Sequence, residues 1–542
     1  MKSILLLLKG LLFWLFFFLF FRASFFLYNH NLFSTIPFSE IAQSFLFAWR
    51  LDLATSCYLL LFSFITSIPS LVSNHPIFKK IHFATGFLLV LICIIACLGN
   101  VLLYKEWQSL LGSRALAFLR YPKEIFASLG KGYVLLSVFG IGLLQLFFSF
   151  IWKRFLVVPD DGINAHWLFK VSYLIVVPLL LFIGARGGAQ LIPINESAVY
   201  FSPHTAVNHA AVNPLWYLGN SIFNPLDQQN KYAFMNDQEA NTLVDSLYAK
   251  DDQECLQILK TTKPNIVFLI LESHSANVIQ SLGDKLNTSP QLDSLSKEGI
   301  LFTNIYGSGS RTDQGLVSIL SAFPAQPDKS IIKYTAKVQQ LPSLYKDLNS
   351  IGYASSFFYG GEIEFANMAA YLRQAGINKM SDKSNYDKAQ INSKWGAHDE
   401  FVLSKQLLDL ENEKEPFISV LLTLSNHEPF EIPGKMKSEA MDEPSKFRHA
   451  AAYTDSCIGN YFRAAKKTEW YKNTLFILVA DHGHRLPLES DLNLPESKHI
   501  PLIILGGALK DSLKGTRIET IGNQEDIAAT LLFQLGLDYT KY

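Results

Sequence analysis

The sequence predicts two architectures in series: an α-helical membrane-spanning domain of about five helices, followed by an α/β domain with a mainly parallel central sheet. Three observations predict this. Long apolar runs crowd the first third of the 542 residues and lift the hydrophobic content to 49%. Beyond residue 260 the text changes to short apolar runs alternating with helical stretches, the pattern of parallel strands joined by helices. Several of those runs end in residues suited to metal binding or nucleophilic attack, as expected at the carboxyl edge of an open α/β sheet.

The first run, Leu5–Phe21, is almost uninterrupted Leu and Phe, and others follow at Phe45–Val72, Phe83–Leu103, Val134–Trp152 and Leu168–Ile183. Each approaches the roughly 20 residues a helix needs to cross hydrocarbon. Lys2 and Lys9 give the first run the look of a secretory signal, but no small-residue cleavage pattern precedes Phe25-Phe26, so an uncleaved anchor is expected. Lys2, Lys79-Lys80 and Lys153-Arg154 then face the cytoplasm, and five crossings put the C-terminal part outside it, in a multi-pass protein of the cytoplasmic membrane. Lys105, Arg114, Arg120, Lys123 and Lys131 argue against that orientation unless their segment lies along the interface. Arg50 and Asp52 fall inside a membrane run. Intramembrane charges are candidates for function; the plainer expectation is that these two lie at the interface and pair with each other or with water.

The organisation expected is a membrane domain over 1–185, an extracytoplasmic connector over 186–260 and a catalytic domain over 261–542. The connector carries Pro193, Pro203, Pro214 and Pro225, with an amphipathic helix expected over Gln238–Leu259. Strands are expected at Ile266–Leu271, Leu301–Ile305, Ala354–Tyr359, Ile418–Thr423, Leu475–Ala480 and Leu502–Leu505. Cys57, Cys93 and Cys97 lie in membrane runs and leave only Cys255 and Cys457 beyond them, which excludes a disulfide framework. With 47 basic and 47 acidic residues there is no charge bias toward nucleic acid, and no basic groove with interleaved aromatics.

Glu272 directly follows the first of these strands, Asp481-His482-Gly483 follows Leu475–Ala480, and Thr312 opens a helix after a Gly/Ser-rich loop. Two carboxylates, an imidazole and a hydroxyl make a hard, oxygen-rich site for a divalent cation that contains its own nucleophile. A Thr hydroxyl is a weak nucleophile at its free pKa and needs a base or a metal beside it. Each residue also has a plain structural reading: Thr312 as a helix cap, Glu272 as a solvated first-turn acid, His427 as a turn residue before Glu428-Pro429. Only Asp481-His482 is hard to explain by packing alone. The donor set suits Mn²⁺ and also accepts Zn²⁺ or Mg²⁺.

The order of LILES at Glu272, SGSRT at Thr312, SNHEPF at His427 and VADHGHR at Asp481 resembles the sulfatase-like phosphoglycerol transferases of the lipoteichoic acid synthase group, in the alkaline phosphatase superfamily. The five-helix front end fits as well. The resemblance implies an alkaline phosphatase/sulfatase-like fold, with Glu272, Thr312, Asp481 and His482 holding the metal, manganese in that group. It implies Thr312 as the attacking residue and His427 as a head-group contact or proton shuttle. Trp395, His398 and Asp399 in KWGAHDE, with Tyr359-Gly360-Gly361, resemble pocket-lining segments, and Arg485, His484 and His499 are candidates for a phosphate contact or a second metal. Where that group has a Trp and an Arg near the head group, this chain has Gly360-Gly361-Glu362.

The expected activity is transfer of a phosphoglycerol-type head group from a phospholipid donor to an envelope lipid or glycan acceptor through a phospho-threonine. Two alternatives remain: a phosphoethanolamine transferase acting on lipid A or envelope glycans, and a non-catalytic sulfatase-like sensor or scaffold. A true sulfatase is disfavoured, because Ser310-Arg311-Thr312-Asp313-Gln314 is not a Cys/Ser-x-Pro-x-Arg motif.

Overall fold

The computed structural model describes residues 2–113, 122–156, 165–223, 233–247, 255–327, 329–433, 442–491 and 494–542. It divides into two compact units, Met1–Gln253 and Glu254–Tyr542. The expected connector thus falls mainly within the first unit.

Among the described residues, five helices of the first unit are long and apolar enough to cross a membrane. They are α1 (Lys2–Tyr28), α2 (Phe38–Ser67), α3 (Pro76–Trp107), α4 (Pro122–Phe155) and α5 (Trp167–Arg186), each longer than its apolar run. Phe13, Trp14, Phe17 and Phe18 of α1 are buried with Phe148 and Trp152 of α4, and Phe13 meets Trp152 edge-on at 5.2 Å between ring centroids. Arg114 and Arg120 of the conflicting basic segment lie outside the described residues.

The chain after α5 returns to this helix cluster as α6 (Thr205–Ala211) and α7 (Pro214–Phe223). It closes a polar network that corrects the expected Arg50–Asp52 pairing. Asp52 instead accepts both arms of Arg22, at 2.7 and 3.0 Å, and a third hydrogen bond from Asn213 Nδ2 at 2.8 Å. Arg22 also donates to Ala210 O, while Arg50 donates to Ala198 O. Arg22 lies one residue past the expected apolar run, less than two helical turns before the end of α1 at Tyr28, so the run's apparent boundary hid it. The predicted helix over Gln238–Leu259 is shorter, α8 at Asp237–Leu247. Residues 248–254 lie outside the described part, and Leu259 instead forms a β-bridge with Leu509.

Among the described residues of the second unit nine strands make one sheet: β1 (Asn265–Leu271), β2 (Ile300–Tyr306), β3 (Ala354–Tyr359), β4 (Lys379–Ser381), β5 (Phe417–Leu422), β6 (Thr474–Ala480), β7 (His499–Leu505), β8 (Thr516–Ile518) and β9 (Gly522–Asn523). The order is β4-β3-β5-β1-β6-β7-β2-β8, with β9 pairing β2. All pairings are parallel except those of β7, which runs against both β6 and β2. β1 and β6 are buried at every residue, the signature of central strands covered on both faces. The six predicted strands are all present, most of them one to three residues longer. The three missed, β4, β8 and β9, have only two or three residues each and no apolar run.

This topology fixes where chemistry can sit. The carboxyl ends of β1, β2, β3, β5 and β6 share one edge of the sheet, and the reversed β7 contributes its amino end to that edge, with His499 opposite Tyr306.

Candidate active site

Glu272, one residue past β1, and Asp481, one residue past β6, are brought together because Leu271 and Ala480 are register partners. Ser273 takes a left-handed conformation, φ 53°, which turns its N–H onto Asp481 Oδ1 at 2.8 Å; the N–H of His482 joins the same oxygen at 2.8 Å. Thr423 Oγ1 receives the Glu272 N–H at 2.8 Å, and Ser273 Oγ donates to Glu272 Oε1 at 2.8 Å. Gln524 pins the strand end by donating to the carbonyls of Ala480 and Asp481, both at 2.7 Å.

Thr312 is the first residue of α9 (Thr312–Ser321), with Arg311 at the cap position and no side-chain capping bond there. Its hydroxyl is therefore not spent on the helix end, and it donates to Glu272 Oε2 at 3.1 Å. The unsatisfied amides of the first turn favour negative charge where Thr312 sits. Gly315 sets the depth of the helix: a Cβ there would stand 1.8 Å from Asp481 O.

Glu272, Asp481 and His482 are all buried and offer ligand atoms within 4.8 Å of one another. Two features of their hydrogen bonding fit a cation. Asp481 Oδ2 is buried without a hydrogen-bond partner. His482 Nδ1 lies 2.7 Å from Gly483 O, so it must be the protonated nitrogen, and Nε2 turns its lone pair inward, 3.4 Å from Asp481 Oδ2 and 3.7 Å from Glu272 Oε1. Burial, and then the Glu272 charge, push the Asp481 carboxyl up to about 7. Burial works against charge on His482, but the two carboxylates outweigh it and raise its pKa. Burial likewise opposes ionisation of Glu272, and the neighbouring His482 and His427 prevail and lower it. Two buried carboxylates thus share one imidazole, a deficit of positive charge that a divalent ion fits.

His427 and Trp395 stand beside this cluster as a pair. Their rings lie 4.6 Å apart, and both donate to the carbonyl of Glu428, Trp395 Nε1 at 2.7 Å and His427 Nδ1 at 2.9 Å. Tyr359 is buried, and burial, then the charges of Glu272 and Asp481, hold its phenol's pKa well above the usual range.

Other expected residues are not brought to the metal-binding cluster. His398 is buried with Nδ1 against Asn392 Oδ1 at 2.5 Å and Nε2 donating to Glu431 O at 3.0 Å. Asp399 is fully buried and accepts from the N–H groups of Leu424 at 2.7 Å and Ser425 at 3.2 Å and from Thr454 at 2.6 Å. It anchors the turn that delivers His427, a supporting task for which a polar GAHDE string gives no separate signal. Arg485 is paired with Glu443. His484 stacks on Phe447 at 4.8 Å, and burial lowers its pKa to about 4. His499 donates to Thr303 O at 2.8 Å and stacks on Tyr306. Among the described residues, one metal-binding cluster forms and these histidines do not extend it. The sequence reading overlooked Lys498, whose ammonium reaches Ser310 in the loop before Thr312.

Residues 264–537, just over half of the chain, match the Sulfatase family. The chain is 26% identical over 317 residues to lipoteichoic acid synthase 2 of Bacillus subtilis, covering 52% of this chain and 46% of that one. It is 26% identical over 303 residues to the lipoteichoic acid synthase of Staphylococcus saprophyticus, again 52% and 46%. It therefore spans about half the length of the curated relatives it matches. Among solved structures, a protein in the alkaline phosphatase superfamily from Vibrio parahaemolyticus superposes with TM-score 0.50 at 30% identity, covering 57% of this chain and 77% of that one. The chain, with its five membrane-length helices and its buried Glu272–Asp481–His482 cluster, belongs to the sulfatase family within the alkaline phosphatase superfamily.

Proposed function

We propose that this protein is a metal-dependent, membrane-anchored phosphotransferase that moves a phosphoglycerol-type head group from a phospholipid to an envelope acceptor. The observation that carries this reading is the Thr312 hydroxyl, donated to Glu272 at 3.1 Å at the start of a helix and beside two further buried metal donors. Bound to Glu272, Asp481, His482 and Thr312, a divalent ion, Mn²⁺ by likeness to the lipoteichoic acid synthases, would lower the hydroxyl's pKa and neutralise phosphoryl charge.

Thr312 Oγ1 attacks the head-group phosphorus and loses its proton along the hydrogen bond it already makes to Glu272. The bond from phosphorus to the diacylglycerol oxygen breaks, and His427, entering as the imidazolium, gives that oxygen its Nε2 proton, since its Nδ1–H is committed to Glu428 O. Trp395 holds the His427 ring in place and offers an aromatic wall to the head group. An acceptor hydroxyl then gives its proton to the neutral His427 and attacks the phospho-threonine, and the proton held on Glu272 returns to Thr312 Oγ1 as its bond to phosphorus breaks. The five helices keep the donor at high effective concentration, with the second unit on the extracytoplasmic side.

The test is diacylglycerol release by the full chain reconstituted in phosphatidylglycerol vesicles with Mn²⁺. Release should fall at least about 1,000-fold in Thr312→Ala, the order lost when a nucleophile is removed. Undiminished release by that variant contradicts the mechanism. Release confined to phosphatidylethanolamine vesicles overturns the head-group assignment alone.

A further inference from the structure

Lys498 occupies the end of a 3₁₀ turn, Pro495–Lys498, that feeds the chain into β7. Because β7 is reversed, this entry point lies at the same sheet edge as Glu272 and Asp481. The backbone there is wedged in place. Gly307 N–H donates to Lys498 O at 2.7 Å. A Cβ on Gly483 would stand 2.1 Å from Ser497 O and 3.1 Å from Lys498 Cα. The half-buried side chain reaches across to the loop before Thr312, where its ammonium donates to Ser310 Oγ and lies 3.4 Å from Gly309 O.

Its charge has no match among the described residues. Among the described residues no carboxylate lies within ion-pair distance of Lys498, whereas Arg311 and Lys333 share Asp313 at 3.8 and 4.0 Å and Arg485 pairs with Glu443. A partly desolvated ammonium without a counter-charge is costly unless an anion completes the site. The charge balance says which anion. Two carboxylates and one divalent cation cancel, so an arriving phosphodiester brings one negative charge that the metal cluster does not offset.

We propose that Lys498 is the second cation of the active site, receiving a non-bridging oxygen of the donor phosphodiester and then of the phospho-threonine. This rests on the phosphotransferase reading above. Ser310 and the Gly309 carbonyl hold the ammonium in the loop until the phosphoryl group arrives, and the fixed backbone keeps it aimed at the position next to Thr312.

The test is calorimetric titration of the full chain in detergent, first with Mn²⁺ and then, at saturating Mn²⁺, with inorganic phosphate. Lys498→Met should weaken phosphate binding by about 10- to 100-fold, the loss of one charge-assisted hydrogen bond, while Mn²⁺ affinity stays within about twofold, the margin of an interaction worth little. Lys498→Arg should recover most of the phosphate affinity. Ser310→Ala, which keeps the cation, should retain it too. Phosphate binding by Lys498→Met within about twofold of the parent, or no phosphate binding by the parent, overturns the proposal. So does an equal loss of Mn²⁺ and phosphate affinity in both Lys498 variants, the mark of a loop prop. If phosphate binding depends on Lys498 but no phospholipid is turned over, the transferase reading fails and the phosphate site stands.

Discussion

Each unit buries a carboxylate next to a basic group, and they treat it in opposite ways. In the first unit Asp52 has a guanidinium on both oxygens and a third donor from Asn213. In the second, Asp481 and Glu272 share the single imidazole of His482, and Asp481 Oδ2 makes no hydrogen bond among the described residues. A compensated buried charge is a structural fastener, here tying α1, α2 and the segment after α5 together. An under-compensated one is tolerated where a ligand supplies the missing charge. The contrast separates a fold-holding pair from a cation-seeking site without appeal to any relative.

The largest effect should come from breaking the fastener. Arg22→Met leaves Asp52 buried and unpaired, at a cost of about 3–5 kcal/mol, whereas Arg22→Met combined with Asp52→Leu should recover most of it. Thermal unfolding of the full chain in detergent checks both. Equal destabilisation by the single and double variants would mean that the pair does not hold these helices together.

A smaller effect of opposite sign is expected at the other carboxylate. In chelator-treated protein, Asp481→Asn removes like-charge repulsion and should leave stability unchanged or raise it, while weakening Mn²⁺ binding by more than about 100-fold, beyond the loss typical of a mere supporting contact. The pH dependence carries the same sign. Burial and the Glu272 charge raise the Asp481 carboxyl from 3.8 to about 7, so the folded protein holds an extra proton between those values. Metal-free stability therefore falls as pH rises from about 4 to about 7. His482, also raised, adds to the loss as pH rises beyond the ordinary histidine range, and Glu272, lowered, acts in the opposite direction in acid. Melting temperatures of the metal-free parent should decline across that window, and Asp481→Asn should flatten the decline. A parent whose stability instead climbs from pH 4 to 7 would refute the assignment of Asp481 as the strained member.

The parts of the site legible in sequence share one property: Glu272, Thr312 and Asp481 follow strands that all run the same way, so a reactive residue at the end of an apolar run, or in the loop just after it for Thr312, marks the sheet edge each time. Lys498 escaped that logic because β7 runs backwards and presents its start, and nothing in HIPLIIL reveals direction. Asp399 and His398 carry side chains typical of a site, yet the structure uses them as internal supports, a distinction set by the partners Leu424, Ser425, Thr454 and Glu431 from distant parts of the chain. Arg22 was missed for a related reason. Its value depends on Asp52, 30 residues away, and α-helical periodicity alone does not say which faces meet.

The claim that the under-compensated cluster serves a covalent transfer by Thr312 is tested most directly by intact-mass and peptide analysis of the full chain, quenched during turnover of phosphatidylglycerol with Mn²⁺. The account predicts a gain of one phosphoglycerol group, confined to the peptide bearing Thr312, absent in Thr312→Ala and cleared when an acceptor alcohol is added. Continued diacylglycerol release with the adduct on another residue, or with none on the protein when acceptor is withheld, would contradict it.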